Sequence, residues 1–440
     1  MKILFIACYS PLINNSASIE ALMYLNNLSK KNEVHLLTVN FPKESVYYDK
    51  EILSLLNKNI VIYKIGIGKI FEKLMPKKIN NNKLKTKKIT FLKKITFLKK
   101  VKSKIIFPDI YYYWSLKASK FAIQLIKKEG FDLMFSMHEP PSSHLCALRI
   151  KKIYKNIPWI LYWSDPWIMD VSRENIGFIR KTLEGLQERL VAEFGDKHIF
   201  VTQKNRDYFK KKYNLNERNL FIISRGYDKE LYDKIENEKK PKLLFENKIN
   251  IVYTGEIIEN IRDIKPFIEA IKMLESKESK LFNRLNILFF GNIDNNSLIE
   301  QLKEFKNIKI NKRIDFKEAL RYIIHSDILL FLGNKSSMQI PAKIYDYLGA
   351  KNPVIVIKGN KYDKIEELTK DLEKCFITEN DSCEIIRTLK EVVHKVDNGV
   401  NFKEEEKYSL TNINKNLNNI FLFCKNGDGS NGRKYSKTIN

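Results

Sequence analysis

Long apolar runs and paired cysteines are both missing from this chain. The 440-residue sequence contains no run of about 18 consecutive apolar residues, so we expect no membrane-spanning helix. Its five cysteines are scattered without a C-x-x-C pair, which argues against a zinc cluster and a disulfide framework and favours a reducing cytoplasm. Only one lysine and a five-residue apolar run open the chain, too short for the core of a signal peptide.

A phosphate-binding loop and a nucleic-acid-reading module are also missing. Residues 66–69, GIGK, lack the upstream glycine and the following serine or threonine that a phosphate loop needs. The lysines cluster in one segment without a module that reads RNA or DNA, so we expect no nucleic-acid partner.

Positive charge is abundant. The chain has 78 Lys and Arg against 52 Asp and Glu, a formal net charge of +26. Such an excess predicts a negatively charged partner, and nucleotide phosphates, anionic lipid head groups and nucleic acid all carry that charge. A composition rich in Lys, Asn and Ile also results from an AT-rich genome, which is the alternative explanation for much of the lysine.

Residues 77–104 concentrate this charge. They contain twelve lysines and no acid, and they include two copies of the hexad KKITFL at residues 87–98. Each helical residue turns by about 100°, so a six-residue repeat would spread its Ile, Phe and Leu around the helix axis. We therefore predict a basic insertion, a mobile loop that presses Phe and Leu into an anionic membrane surface. A solvated, duplicated insertion without a role is the equal alternative.

Apolar strands and amphipathic helices alternate along the chain. Residues 3–7 are apolar, residues 19–28 repeat apolar positions at helical spacing, and residues 34–39 are mainly apolar again. This order is a βαβ unit, which demands a parallel sheet with a right-handed crossover. The alternation continues through a long amphipathic stretch at residues 177–194 and predicts a Rossmann-like domain over residues 1–232.

A second βα series follows. Residues 233–248 are dense in Lys and Glu without periodicity, which marks a linker. Residues 249–400 predict a second parallel-sheet domain, residues 401–425 a closing helix, and residues 426–440 a disordered polar tail. The predicted fold class is α/β, with two Rossmann-like domains facing across a cleft, where ligands gather at the carboxyl ends of the strands.

The sequence QIPAKIYDYLGA at residues 339–350 places a lysine and a carboxylate one turn apart at a predicted helix start. Pro341 suits the first helical turn, because its φ is already helical and its missing N–H would have no partner there. Free N–H groups, the helix dipole and Lys343 would attract an anion such as a nucleotide diphosphate. Asp346 lies on the same face, where it could accept both ribose hydroxyls. An ordinary amphipathic helix with two solvated charges is the equal alternative.

With these motifs in order, the chain resembles the retaining GT-B glycosyltransferases of the family-four type, a group typified by bacterial cell-wall and capsule sugar transferases. Residues 163–167, WSDPW, resemble the family's RDPW-like turn, and residues 224–228, SRGYD, its NG-aromatic-D turn. Residues 253–255, YTG, match the start of the donor domain, and residues 341–348, PAKIYDYL, are the strongest match.

The resemblance implies that the C-terminal domain holds a sugar nucleotide and the N-terminal domain an acceptor. By resemblance, Gly255 lets the donor approach the backbone, Arg262 and Lys343 clamp its diphosphate, and Asp346 holds its ribose. Such enzymes hold the diphosphate by amides, arginine and lysine, and no DxD-like pair or histidine-rich cluster stands out here. We therefore expect no metal and no other cofactor. A structural Arg262 in a surface turn is the equal alternative.

Two residues of the N-terminal domain are candidates for catalysis. His138 follows the predicted strand at residues 131–136, where it could polarise the sugar or the acceptor. Asp165 lies at a strand end before Pro166, where it could orient an acceptor hydroxyl or equally stabilise its own turn. His144 opens a helix and is expected to cap or pack.

The chain departs from the family pattern at two places. Met338 and Asp346 stand where the family has two glutamates eight positions apart, so direct contact to the donor sugar is not assured. Residues 14–18, NNSAS, replace the glycine-rich loop after the first strand.

The leading functional hypothesis is a hexosyl- or related glycosyltransferase. It would move a sugar from a nucleotide-sugar donor to a surface-glycan or lipid-linked acceptor, with retention, in cell-envelope polysaccharide biosynthesis. We expect it in the cytoplasm, peripheral on the inner membrane face through residues 77–104. A non-catalytic GT-B-like polyanion-binding protein and a sugar-nucleotide epimerase are the alternatives.

Overall fold

The structure is a computed structural model of the chain. It describes residues 1–9, 11–45, 48–68, 72, 107–170, 173, 176–335, 340–361 and 363–425. The predicted basic insertion at residues 77–104, Met338 and the predicted tail at residues 426–440 lie outside the described residues.

A seven-stranded sheet forms the framework of the amino-terminal half. Its strands are β1 (Lys2–Ile6), β2 (Glu33–Val39), β3 (Val61–Ile65), β4 (Leu133–Met137), β5 (Trp159–Trp163), β6 (Lys197–Phe200) and β7 (Leu220–Ile222). They are ordered β3-β2-β1-β4-β5-β6-β7, and every neighbouring pair is parallel. Parallel strands buried on both faces read as continuous apolar runs, as β4 and β5 do here.

Helices connect these strands, and their ends follow from local sequence. Asn15 caps the first helix by accepting a hydrogen bond from the backbone N–H of Ser18 at 2.7 Å. Asn214 ends the last of them in a left-handed conformation, φ +50°. The helices are α1 (Ser16–Leu28), α2 (Lys50–Ser54), α3 (Tyr112–Glu129), α4 (Ser142–Ile153), α5 (Phe178–Phe194) and α6 (Gln203–Tyr213).

A six-stranded sheet forms the framework of the carboxyl-terminal half. Its strands are β8 (Ile249–Thr254), β9 (Leu285–Phe290), β10 (Ile308–Asn311), β11 (Ile328–Leu332), β12 (Val354–Ile357) and β13 (Cys375–Thr378). They are ordered β10-β9-β8-β11-β12-β13 and are again all parallel. The accompanying helices are α7 (Lys229–Glu236), α8 (Lys265–Lys277), α9 (Ser279–Arg284), α10 (Asn296–Lys303), α11 (Phe316–His325), α12 (Lys343–Gly349), α13 (Ile365–Thr369) and α14 (Ser382–Asp397). A last helix, α15 (Leu410–Lys425), packs its Phe421 against Phe135 of β4.

The chain divides into two compact units. Among the described residues, unit 1 comprises those up to 224 together with 414–425, and unit 2 comprises those from 225 to 413. The change of unit after Ser224 precedes the domain boundary predicted at residue 232, and residues 233–248 belong to unit 2. Each unit has a core of its own between sheet and helices. The predicted α/β fold class, with two Rossmann-like parallel-sheet domains, is confirmed.

Both sheets contain a topological switch point. In unit 1 the strand order reverses between β1 and β4, and in unit 2 between β8 and β11. The connections leave toward opposite faces there, so a crevice opens beyond the carboxyl ends of the two strands. The fold therefore favours ligand sites at the residues after β4 and at those after β8. Among the described residues, no helix is both long and apolar enough to cross a bilayer.

Candidate active site

Strand β8 ends at a glycine that packs against a lysine. Gly255 has φ +119°, a conformation that side chains rarely adopt, and a Cβ placed on it would lie 3.1 Å from Nζ of Lys343. The adjacent strand β9 also ends in glycine, and a Cβ on Gly291 would lie 2.2 Å from the carbonyl oxygen of Gly255. The two glycines let these loops and the lysine approach one another where side chains would collide.

Lys343 is the first residue of α12 and brings its ammonium group to this strand end. Its Nζ is buried and has no hydrogen-bond partner among the described residues, but it lies 3.6 Å from the centroid of the Tyr253 ring. Burial lowers the pKa of Lys343 well below its usual value, and the charge of Arg262 lowers it further. An ammonium group without a counter-ion is costly to bury, so a bound anion would stabilise this arrangement.

Arg262 is the second cation at the end of β8. Its Nη1 donates to the backbone carbonyl of Glu256 at 2.7 Å, which holds the guanidinium beside the strand end. Its Nε is buried and has no partner in the described part of the chain. Lys343 and Arg262, here called the cationic pair, thus each keep a buried donor that no other described group accepts. Two unsatisfied donors with two positive charges suit a diphosphate.

Two tyrosine hydroxyls fix α12 within unit 2. The Tyr347 hydroxyl accepts a hydrogen bond from the backbone N–H of Thr254 at 2.9 Å, which ties the helix to β8. The Tyr232 hydroxyl donates to the backbone carbonyl of Asp346 at 2.9 Å. Both tyrosines are buried, so the helix that carries Lys343 is anchored on each side.

The carboxyl group of Asp346 lies one turn after Lys343. Burial raises the pKa of Asp346 to about 7, and the opposing effect of Arg225 does not cancel it. This carboxyl group therefore changes its charge near neutral pH. Hydrogen bonds donated by the hydroxyl groups of a ligand would favour the ionised form of Asp346.

The start of α12 differs from the prediction. The helix begins at Lys343, so Pro341 precedes it rather than occupying its first turn. The N–H of Ile344 donates to the carbonyl of Pro341, and the N–H of Tyr345 to that of Ala342, each at 3.1 Å. The expectation of free N–H groups there is wrong for these two residues, because a tight turn before the helix uses them. Attraction of an anion then rests on the side chain of Lys343.

His138 follows strand β4 at the switch point of unit 1. Its backbone is held on both sides, since its N–H donates to the carbonyl of Tyr162 at 2.9 Å and its carbonyl accepts from Oγ of Ser164 at 2.8 Å. The ring lies 5.7 Å from the ring of Trp163, and neither ring nitrogen has a hydrogen-bond partner in the described part of the chain. Burial lowers the pKa of His138 to about 3. The imidazole is therefore neutral at neutral pH, and it can donate one hydrogen bond and accept another.

Asp165 follows the adjacent strand β5 and is half-buried. The hydrogen bond from Ser164 to the His138 carbonyl joins the two strand ends, so the backbones of both catalytic candidates are linked in unit 1. Asp165 has an interaction of its own within the chain. The turn itself is fixed by Trp167, whose Nε1 donates to Glu184 at 2.9 Å.

His144 packs, as the sequence led us to expect. Its Nδ1 lies 2.8 Å from Oγ of Ser136, and its ring lies 4.4 Å from the ring of Trp163. The side chain is fully buried. These contacts assign it to the core between β4, β5 and α4.

Comparison with known proteins bears on both units. Residues 90–231 match the family model for glycosyltransferase family 4, a little under a third of the chain. No curated protein matches the chain.

Solved structures match the chain over nearly its full length. The structure of Anabaena Alr3699/HepE in complex with UDP covers 96% of this chain and 100% of its own, at 12% identity and a TM-score of 0.60. A glycosyltransferase from Rickettsia africae ESF-5 covers 97% and 99%, at 15% identity and a TM-score of 0.57. A putative UDP-N-acetylglucosamine 2-epimerase from Listeria monocytogenes covers 97% and 97%, at 10% identity and a TM-score of 0.58.

The fold is of the GT-B type. At these identities the likeness extends to the fold alone, and it includes both a glycosyltransferase and an epimerase. Activity therefore has to be argued from the residues of the GT-B scaffold.

The structure brings some of the predicted site residues together. Gly255, Arg262 and Lys343 meet at the end of β8, with Asp346 one turn further along α12. His138 and Asp165 lie at adjacent strand ends of unit 1. Within the described residues, no group of three or more His, Cys, Asp or Glu is arranged to hold a metal ion.

Two residues at the site were given no role of their own from the sequence. Tyr253 places its ring under the Lys343 ammonium, and Gly291 makes room for the Gly255 backbone. A signal existed for both, because each apolar strand here runs directly into a glycine, in the sequence YTG in one case and FFG in the other. That pattern marks where two neighbouring parallel strands end together.

Proposed function

We propose that the protein transfers a sugar from a nucleotide-sugar donor to an acceptor. The observation that carries this proposal is the buried ammonium of Lys343, which has no hydrogen-bond partner among the described residues and lies beside Gly255 and Arg262. The match of residues 90–231 to glycosyltransferase family 4 supports it from a different part of the chain.

The cationic pair would bind the diphosphate of the donor. When the sugar leaves, negative charge builds on the diphosphate, and Lys343 and Arg262 stabilise that charge because they are fixed and shielded from water. Asp346 lies one turn further along α12 and accepts hydrogen bonds from the ribose hydroxyls. Sugars linked to uridine diphosphate (UDP) are the first donor class to test, since Alr3699/HepE has this fold and was crystallised with UDP.

The acceptor side belongs to unit 1. The neutral imidazole of His138 polarises a hydroxyl of the sugar or the acceptor, and Asp165 orients the acceptor. We propose a surface-glycan or lipid-linked acceptor, transfer with retention of the anomeric configuration, and a place in cell-envelope polysaccharide synthesis. Hexosyl or related donors follow from the family resemblance. No metal is required, because the two side-chain cations supply the charge that a divalent ion would.

Donor binding and turnover test the proposal. The full chain would be screened by thermal shift against UDP-, GDP-, ADP- and dTDP-sugars, and the best ligand would then be assayed for nucleoside diphosphate release. We expect one donor to raise the transition temperature of the wild-type protein and of Lys303→Ala, whose lysine pairs at the surface with Glu300. Lys343→Ala should lose both the shift and the release. Failure of every nucleotide sugar to bind the wild-type protein would favour a polyanion-binding protein instead.

A sugar-nucleotide epimerase is the second candidate, supported by the Listeria monocytogenes structure with the same fold. The two activities differ in their need for a second substrate. An epimerase converts UDP-N-acetylglucosamine by itself, and the change is visible by NMR of the sugar signals. A transferase leaves the donor sugar unchanged until it is transferred or hydrolysed.

A further inference from the structure

Helix α5 exposes its apolar residues. Ile179, Leu183, Leu186 and Leu190 follow one another at spacings of four, three and four residues, which places them on one helix face. Their exposed fractions are 75%, 46%, 53% and 38%, and that of the adjacent Phe178 is 84%. We call these five residues the α5 stripe. Large apolar groups lined up in this way on a surface mark an interaction site.

The opposite face of α5 buries two of its three acids. Glu184 and Glu188 are both fully buried. Glu184 accepts a hydrogen bond from Nε1 of Trp167 at 2.9 Å, and Glu188 accepts from the backbone N–H of Ile168 at 3.2 Å and from Nζ of Lys212 at 2.9 Å. Rotating the helix to bury the stripe would leave two carboxylates and their donors without partners, which is costly. The outward orientation of the stripe is therefore built into the fold.

Positive charge surrounds the stripe. Helix α5 packs between α4, which has three basic residues and no acid, and α6, which has five basic residues and one acid. Exposed lysines on these neighbours include Lys152 and Lys204, and α5 itself exposes Lys181. Arg189 of α5 is also exposed, but it pairs with the exposed Glu193 at 3.6 Å. The two buried glutamates of α5 contribute nothing to the charge of this surface.

We propose that the α5 stripe docks helix α5 in the plane of an anionic lipid membrane surface. The apolar side chains enter the boundary between head groups and acyl chains, and the surrounding cations contact the lipid phosphates. Charge complementarity selects this occupant. A second copy of the chain would place two cation-rich surfaces face to face, which like charges oppose. The proposal concerns unit 1 and does not rest on the donor chemistry.

Gain of fluorescence gives a direct test. All four native tryptophans are buried, so a tryptophan placed on the surface reports its own surroundings. In Leu186→Trp we expect a blue shift of emission when vesicles of phosphatidylcholine with phosphatidylglycerol are added, and no shift with phosphatidylcholine alone. Val400→Trp, at an exposed position of unit 2, is the matched control and should not shift. Equal spectra of Leu186→Trp with and without anionic vesicles would overturn the proposal.

Loss of binding gives the second test. Leu183→Ser with Leu186→Ser should lower co-sedimentation of the full chain with anionic vesicles by about tenfold or more. The control Phe245→Ser with Val400→Ser removes two similarly exposed apolar groups from unit 2 and should bind as the wild-type protein does. Far-UV circular dichroism and the transition temperature verify that both variants fold.

Three results would refute lipid docking by the stripe. The first is unchanged co-sedimentation of the serine variant. The second is a wild-type dimer in analytical ultracentrifugation that the serine variant dissociates, which would assign the stripe to an interface between copies. The third is loss of binding on deletion of residues 77–104 while the serine variant still binds, which would assign membrane contact to that segment alone.

Discussion

The ammonium nitrogen of Lys343 lies over the ring of Tyr253, 3.6 Å from its centroid. The ring of Phe331 lies further away, at 5.9 Å, and the hydrogens of the ammonium find no acceptor among the described residues. A cation–π contact recovers only part of the free energy that burial of an ammonium costs. The ligand-free site therefore buries an amine whose ionised form a bound anion would stabilise, and this burial costs stability.

Replacing Lys343 separates stability from binding. Lys343→Met keeps the length of the side chain and removes its charge, so we expect the free energy of unfolding of the ligand-free protein to rise by about 1 kcal/mol. Nucleotide-sugar affinity should fall by about a hundredfold, since a charged hydrogen-bond donor to phosphate is lost. Urea denaturation and calorimetric titration measure the two effects. Lys303→Met serves as the control, and a destabilised Lys343→Met with normal affinity would contradict the assigned role.

Asp346 makes stability depend on pH. Its pKa is 3.8 when unperturbed and about 7 in the folded chain, so between these values the folded state binds more protons than the unfolded state. The contribution of Asp346 to stability therefore decreases as pH rises through this window. Asp346→Asn should remove this decrease, with a transition temperature equal to that of the wild-type protein at pH 4 and higher at pH 8.

The same variant should bind the donor about tenfold more weakly at pH 8, because an amide accepts ribose hydroxyls less well than a carboxylate. Equal donor affinity in Asp346→Asn would separate this residue from the ribose.

Replacing Gly255 tests whether the site needs the close approach of Lys343 to the backbone at the end of β8. An alanine there must keep φ +119° and place its Cβ 3.1 Å from Nζ of Lys343, so we expect Gly255→Ala to lose about 1–2 kcal/mol of stability and most donor affinity. Gly185→Ala is the matched control. Gly185 lies in helix α5 with nothing near its Cβ position, and alanine there should stabilise the helix by about 0.5–1 kcal/mol. A neutral Gly255→Ala would show that the space beside Lys343 is not needed.

His138 should affect the rate of transfer without affecting donor binding. His138→Asn removes a neutral imidazole from the acceptor side, and we expect kcat to fall about a hundredfold with an unchanged thermal shift by the donor. Since its pKa is about 3, the rate should show no step near pH 6.5 from this group. His144→Asn is the control for a packing histidine. It should lower the transition temperature but leave kcat nearly unchanged. An unchanged kcat in His138→Asn would remove it from the chemistry.

Metal removal tests the proposed role of the cationic pair. If Lys343 and Arg262 stabilise the leaving diphosphate, then EDTA should leave nucleoside diphosphate release within about twofold of the untreated rate. The measurement uses the best donor from the thermal-shift screen, with and without added Mg²⁺ or Mn²⁺. A rate that collapses with EDTA and recovers with one of these ions would show that a divalent cation takes part.

The fold class was accessible from sequence because parallel strands and their crossover helices have different apolar periodicities. The runs that end at Gly255 and Gly291 are strands in the structure, and both sheets have the parallel order expected of repeated βαβ units. The start of α12 was less accessible. A proline predicts a first helical turn, but the helix begins two residues later, at Lys343, after a turn in which the N–H of Ile344 donates to the Pro341 carbonyl.

The sequence by itself determined that residues 177–194 form an amphipathic helix and that a lysine stands at the start of the helix after β11. Only the tertiary structure decided which way each side chain points. Periodicity defines the two faces of a helix but not which one is buried, and here Trp167, Ile168 and Lys212 supply the donors that hold Glu184 and Glu188 inside. Likewise, the ring of Tyr253 and the missing side chain of Gly255 belong to the end of strand β8, and they let the amine of Lys343 be buried without a hydrogen-bond acceptor among the described residues. Both outcomes depend on contacts between residues distant in sequence, which no local pattern encodes.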